Sequence, residues 1–481
     1  MVTEEDVAKA VARSREHGGR MADNLIALGA IDQKTLDAFL RRIPKEPKDI
    51  LSTRIDGVDL MGLLLKLIYR DRLETLRQFI DAIKLPYPIV LELVRMAIDR
   101  QLLQTLGSRY SDNPIDLSYS FTEGGQRWTL DALDRMGYTG PAPVTIEQFD
   151  HQIRSQKPTN EAINFDRIRR SIGELTFEDR IIEQCGPALN SGRAILLYGP
   201  PGNGKTSVAY CFASIFTDVI YVPYAVIVEG QFIRVYDPSI HVALDPVGIQ
   251  TDTGHSFTRH DEYDARWVPC RRPFVVTGGE LTLEMLDLRF DKLGKFYEAP
   301  LHVKALGGCF VIDDFGRQLV KPTDLLNRWI VPLENRVDYL KLHTGKSFSI
   351  PFEELVMFST NLEPEDLMDP AFLRRLPYKI EIGAPTLDNF RIIFEKECAR
   401  QGMEAEEGIF EYIAHKIRYE KNMDFAAYQP RFIVDQVVAT CRFMEQTLHF
   451  EPRYIDYALD NLRVRHKSFS EAATNTAARV A

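Results

Sequence analysis

A chain of 481 residues has room for about three domains, and its 45% apolar and 27% charged residues are ordinary for a globular protein in water. No apolar run approaches the ~20 residues that a membrane helix needs, and the charged start MVTEEDVAKAVARSREHGG lacks the apolar core of a secretory signal. A net charge of −10 argues against a polyanion binder over the whole surface, and six scattered cysteines without C-x-x-C pairs argue against a disulfide framework or zinc ribbon; a cytoplasmic protein without membrane insertion is expected.

Residues 1–45 are expected to be helical: NLIALGAIDQKTLDAFLRR has apolar residues at helical spacing, with Asp32 placed to cap a second short helix. This segment resembles the small helical N-terminal modules of bacterial secretion and pilus-assembly ATPases. KEPKD, Lys45 to Asp49, is a charged linker. MGLLLKLIYR, RLETLRQFIDAIK and PYPIVLELVRMAIDRQLLQTLG then predict three helices, the third starting at Pro86 and Pro88 and ending at Gly107. IDLSYSF alternates like a strand and TEGGQRWTLDALDRMGY predicts a closing helix, so residues 50–142 resemble a winged-helix module. Residues 143–160 are expected to be a linker.

From residue 161 the pattern alternates. AILLYG, VIYVPYAVIV, GCFVID and ELVMFSTN are short and apolar, as buried parallel strands are. After Gly383 the chain turns helical through NFRIIFEKECAR, GIFEYIAHKIRYE and PRFIVDQVVATCRFMEQTLHF. The small, polar tail at 467–481 is expected to be disordered.

Between AILL and SVAYCFASIF lies YGPPGNGKTS. Gly199, Gly204, Lys205 and Thr206 satisfy the phosphate-loop spacing G-x-x-x-x-G-K-S/T, and Pro200, Pro201, Gly202, Asn203 and Ser207 complete the loop. Glycines let backbone N–H groups crowd an anion, and the following helix adds its positive dipole end. Lys205 would reach the β- and γ-phosphates and the Thr206 hydroxyl would ligate Mg²⁺. A plain glycine-rich turn has the same composition, but not the apolar strand before it and the helix after it. GCFVIDDFGRQ delivers Asp313 and Asp314 at a strand end, Asp313 for the Mg²⁺ hydration shell and Asp314 to polarise an attacking water. FSTN ends another strand in Asn361, placed to orient that water or the γ-phosphate. DPAFLRRLPYKIEI sets Arg374 and Arg375 at a helix end, either as a solvated terminus or as an arginine finger, and YQPRFIVDQV sets Arg431 in the first turn of a helix.

GPPGNGKT, FVIDD, FSTN, AFLRR and QPR, in this order over residues 161–465, resemble the AAA+ ATPases. The resemblance implies an α/β fold: a P-loop AAA+ parallel sheet over 161–384 and a helical lid over 385–466, behind the helical segment and the winged-helix-like domain. It implies ATP and Mg²⁺ as cofactors, Asn361 as sensor 1, Arg431 as sensor 2, Arg374 or Arg375 as a finger acting in trans, and a homo-hexamer. Two features depart from the family pattern. The acidic pair is Asp-Asp where Asp-Glu is usual, an ending also found in replication initiators and helicase loaders. And 108 residues separate Lys205 from Asp313, an excess placed between about 226 and 306, where pore loops and family-specific hairpins occur. Phe232, Phe296 and Tyr297 would there either line a pore or pack in a core; His255, His260 and Cys270 lack metal-ligand spacing.

Three functions are compatible with these residues. The leading one is an ATP-driven machine that docks a protein partner through residues 1–142 and moves or remodels it. A second is a DNA-associated loader or regulator, disfavoured because Arg95 and Arg100 are offset by Glu92 and Asp99 on the helix that would enter a groove. A third is a nucleotide switch that does not hydrolyse, which would need Asp314 to be incompetent.

Overall fold

A computed structural model describes residues 4–18, 21–40, 42–108, 117–173, 175–244, 263–404 and 408–462. His255, His260 and the 467–481 tail lie outside these residues.

Helices Glu4–His17 (α1), Met21–Ala27 (α2) and Gln33–Leu40 (α3) open the chain, and Asp32 caps α3 by accepting the Thr35 amide at 2.7 Å. Helices Gly57–Asp71 (α4), Leu76–Ile83 (α5) and Tyr87–Asp99 (α6), the hairpin Leu103–Ser108 (β1) with Leu117–Phe121 (β2), and Glu123–Arg135 (α7) follow in that order. A Thr75–Gln78 capping box starts α5, and Leu60, Leu63, Leu64 and Leu67 of α4 bury against Phe79, Ile89 and Leu93. The third helix ends earlier than expected. It stops at Asp99, Gln101 takes a left-handed φ of 59°, and Gly107 sits at a bulge in β1. LLQTL alternates as well as it winds, and pairing with β2 decides the outcome.

Residues 143–160, read as a linker, are folded: Val144–Thr145 (β3) joins a sheet, and a Thr145–Gln148 capping box starts Ile146–Ser155 (α8). Beyond them come Phe165–Ile172 (α9), Asp179–Ser191 (α10), Ile195–Tyr198 (β4), Lys205–Ile215 (α11), Ile220–Pro223 (β5), Ala225–Val228 (β6), Gln231–Arg234 (β7), Trp267–Cys270 (β8), Phe274–Thr277 (β9), Arg289–Asp291 (β10), Phe296–Glu298 (β11), Cys309–Ile312 (β12), Pro322–Asn335 (α12), Val337–Lys341 (β13), Ser347–Pro351 (β14), Leu355–Ser359 (β15) and Tyr378–Glu381 (β16). Five strands form one wholly parallel sheet in the order β16-β4-β15-β12-β9. Its two faces bury separate cores, one around Ile195, Val208 and Phe212, the other around Phe310, Trp329 and Phe358. Leu387–Arg400 (α13), Ile409–His415 (α14), Gln429–Phe443 (α15) and Pro452–Leu462 (α16) pack around Phe390, Phe394, Ile433 and Ile455 as a lid. The fold is therefore the α/β class expected, a five-stranded parallel sheet followed by a helical lid and preceded by N-terminal helical elements. Among the described residues no helix is long and apolar enough to cross a membrane.

One strand reading is corrected. VIYVPYAVIV is not in the parallel sheet. It breaks at Tyr224 into β5, antiparallel to β8, and β6, which pairs with β7 and β3 in an accessory sheet of order β10-β11-β7-β6-β3. The strand beside β12 is β9, from inside the stretch read as excess. A β-branched run looks the same in either sheet, so composition could not choose between them. In the same region Phe232 and Tyr297 are buried and the half-buried Phe296 packs on Tyr138, so all three serve packing rather than a pore. Cys270 is buried too, its thiol pushed up to about 12 by desolvation.

Candidate functional site

Parallel packing brings the carboxyl ends of β4, β12 and β15 side by side, where the loops of an open α/β sheet form a crevice. Gly199, Gly202 and Gly204 after β4 have φ of 129°, 79° and 87°. At two of them only glycine fits: a Cβ on Gly199 would sit 2.5 Å from the Ile382 carbonyl, and one on Gly202 2.4 Å from the Tyr428 ring. The loop ends where Lys205 opens α11. The Lys205 ammonium is buried and donates to the carbonyls of Gly199 and Pro200, each at 2.8 Å. Burial lowers its proton affinity, while Asp313 and Asp314 pull the other way.

Thr206 and Asp313 meet: Oγ1 donates to Asp313 Oδ2 at 2.8 Å. These are hard oxygen donors one helix start and one strand end apart, the kind Mg²⁺ takes with water and phosphate completing its shell. The other Asp313 oxygen accepts the Asp314 amide at 3.0 Å. Asp314 is exposed and holds a left-handed φ of 48°, a conformation a non-glycine residue adopts at a cost. Its Oδ1 accepts from Asn361 Nδ2 at 3.0 Å, so the candidate base and the candidate sensor are already in contact.

These residues line one open cleft of about 860 Å³. Pro201 to Ser207, Asp313, Asp314 and Asn361 form its floor, and Arg431, at the start of α15, faces them from the lid. Gly199 and Pro200 lie behind, as acceptors for Lys205. Arg431 is exposed and stands 3.6 Å from Asp435 of its own helix. Arg374 and Arg375 are outside the cleft. Arg375 is tied to Glu334 at 2.5 Å, whereas the exposed Arg374 makes no side-chain hydrogen bond or ion pair with any described residue. The structure thus unites every candidate except this pair, and it separates the two members of the pair.

Sequence reasoning missed part of the wall. Leu175, Thr176 and Phe177 precede α10; Ile393, Lys396 and Arg400 come from α13; Ala427 and Tyr428 come from the turn before α15. Only Tyr428 carried a signal, three residues before Arg431. The others converge through tertiary folding and follow no motif spacing.

Residues 386–461, the lid, match a family model described as "Domain of unknown function (DUF8689)". A proteasome-activating nucleotidase from Archaeoglobus fulgidus is 23% identical over 214 residues, which are 43% of this chain and 51% of that protein, so the chain spans about half the length of the curated relative it matches. Among solved structures, NtrX from Brucella abortus in complex with ATP is similar at 11% identity, covering 73% of this chain and 70% of that one with a TM-score of 0.37. The RuvB Holliday junction branch migration motor of Thermotoga maritima is similar at 14% identity, covering 60% and 70%, with a TM-score of 0.33. At such distances the site's own geometry carries the functional reading.

Proposed function

We propose that the chain is an AAA+ ATPase that hydrolyses ATP to ADP and phosphate and uses the cycle to move or remodel a bound protein. The observation that carries this reading is the pair of contacts at the mouth of the phosphate loop, Thr206 to Asp313 and Asn361 to Asp314, under a lid arginine. The loop amides and Lys205 bind the β- and γ-phosphates once the ammonium leaves the Gly199 and Pro200 carbonyls. Thr206 and Asp313 would hold Mg²⁺, which would supply charge neutralisation on the phosphates. Asp314 accepts the proton of the attacking water as its oxygen bonds to the γ-phosphorus and the bond to the β–γ bridging oxygen breaks; Asn361 holds Asp314 in place. Arg431 steadies the phosphates from the lid.

Arg374 has no side-chain partner among the described residues and lies outside the cleft, which supports a role as the finger that completes a neighbour's site in a homo-hexamer. Residues 1–142 dock the partner. The resemblance of residues 1–45 suggests secretion or pilus-type assembly as the setting. A DNA partner is less favoured, because the exposed Arg95 and Arg100 of α6 and its end are matched by the exposed Glu92 and Asp99.

The test is steady-state phosphate release from ATP by the full chain. Lys205→Ala is expected to abolish it by removing the phosphates' point charge. Asp314→Asn is expected to keep nucleotide binding and lower turnover on the order of 10²-fold or more, because an amide cannot take the water's proton. Normal turnover in Lys205→Ala would refute the phosphate-loop assignment; normal turnover in Asp314→Asn would refute the base.

A further inference from the structure

The lid does not merely overhang the phosphate loop; it is fastened to it at two consecutive residues. The Tyr428 amide donates to the Gly202 carbonyl at 3.0 Å, and the Ala427 amide donates to Asn203 Oδ1 at 3.0 Å. The Tyr428 ring lies directly on Gly202: a Cβ there would be 2.4, 3.0 and 3.2 Å from three of its carbons. Asn203 is 3% exposed, and its Nδ2 is buried with no hydrogen-bond partner among the described residues. A buried donor without a partner is costly, so this seam is a poorly satisfied and hence convertible contact. Tyr428 is the N-cap of α15, and Arg431 stands three residues on, in the helix's first turn.

We propose that Asn203 and Tyr428 form a latch by which the state of the phosphate loop sets the position of α15 and so of Arg431. The inference rests on the nucleotide-binding reading above and deepens it. When phosphate enters, Lys205 has to leave the Gly199 and Pro200 carbonyls, and the loop carrying Gly202 and Asn203 changes with it. Because the two residues that lead into α15 hang on those two loop residues, the helix follows. Both are positioning residues: their effect on hydrolysis passes through Arg431.

The experiment is a double-mutant cycle in the full chain, with fluorescent ATP binding and phosphate release measured for wild type, Tyr428→Ala, Arg431→Ala and the pair. Arg431→Ala is expected to slow wild-type turnover on the order of 10²-fold. In the Tyr428→Ala background, where Arg431 is already misplaced, it is expected to cost less than about 3-fold. Tyr428→Phe, which keeps the ring and the backbone bond, is expected to restore the coupling. Hydrogen exchange supplies a readout independent of turnover: nucleotide is expected to change protection of residues 429–443 in wild type and in Tyr428→Phe, and not in Tyr428→Ala or Asn203→Ala. Additive costs in the cycle, or an unchanged exchange response in both alanine variants with nucleotide bound, would overturn the latch alone. Failure of wild type to bind ATP would overturn the reading of the site and the latch with it.

Discussion

Glu354 lies just before β15, with both carboxyl oxygens buried and without a hydrogen-bond partner among the described residues. Desolvation holds its carboxyl well above the usual range; Arg336 opposes this and Asp338 and Glu353 reinforce it. Arg336 spends its donors on the carbonyls of Gly192, Phe352 and Glu354, and Glu353 is neutralised by Lys157 at 2.8 Å. An acid whose folded affinity for protons is raised gives stability that is complete below its unfolded pKa of ~4.3 and is lost as pH rises from there. Glu354→Gln should therefore raise Tm at pH 7, by about 2–4 °C for each kcal/mol gained, with the advantage closing toward pH 4. Melting curves at the two pH values check it, and an advantage that grows on acidification would contradict the neutral buried acid. The residues at the nucleotide site were far more legible in the sequence than this one. A phosphate loop and strand-end acids are fixed by chemistry to particular spacings, whereas Glu354 becomes special only through what folds over it.

Lys66, on α4, brings the N-terminal module against the accessory sheet. The residue is 2% exposed; its ammonium donates to the Met136 carbonyl at 3.0 Å and lies 5.9 Å from the Phe232 ring centroid, and burial lowers its pKa to about 8, with Asp59 opposing. A lysine depressed in the fold destabilises it at pH 7, and the loss is recovered as pH rises through about 8 toward the unfolded value near 10.4. Lys66→Met should thus melt higher than wild type at pH 7, by a margin that narrows by pH 10; a constant margin would mean that packing, not charge, sets the difference. The accessory sheet that meets Lys66 is also where sequence reading failed at the level of elements. The run from Ala225 to Val228 has the apolar, β-branched character of a core strand, and only its pairing with Gln231–Arg234 and with Val144–Thr145 reveals a different sheet. Thr145 helped conceal it, because a two-residue strand capped straight into a helix leaves no period to read.

Across the whole molecule, the N-terminal module and the nucleotide domain are joined through a shared core. The Tyr138 ring packs tilted against Phe232 at 5.2 Å and edge-on against Phe296 at 5.9 Å, and the Gly137 amide donates to the Gly294 carbonyl at 2.8 Å, so the stretch read as excess is the bracket between the two. If nucleotide moves the parallel sheet as proposed, this packing gives the motion a route to the N-terminal module. Arg374 is exposed and makes no side-chain hydrogen bond or ion pair with any described residue. The most direct test of an ATPase with shared sites is phosphate release on mixing two inactive variants, Arg374→Ala and Lys205→Ala, with subunit exchange shown by labelled chains. Each alone should be nearly inactive, since an arginine finger is worth ~10³-fold or more. On mixing, turnover should return where a Lys205→Ala subunit lends its Arg374 to an intact phosphate loop. Demonstrated exchange with no returning turnover would contradict the account.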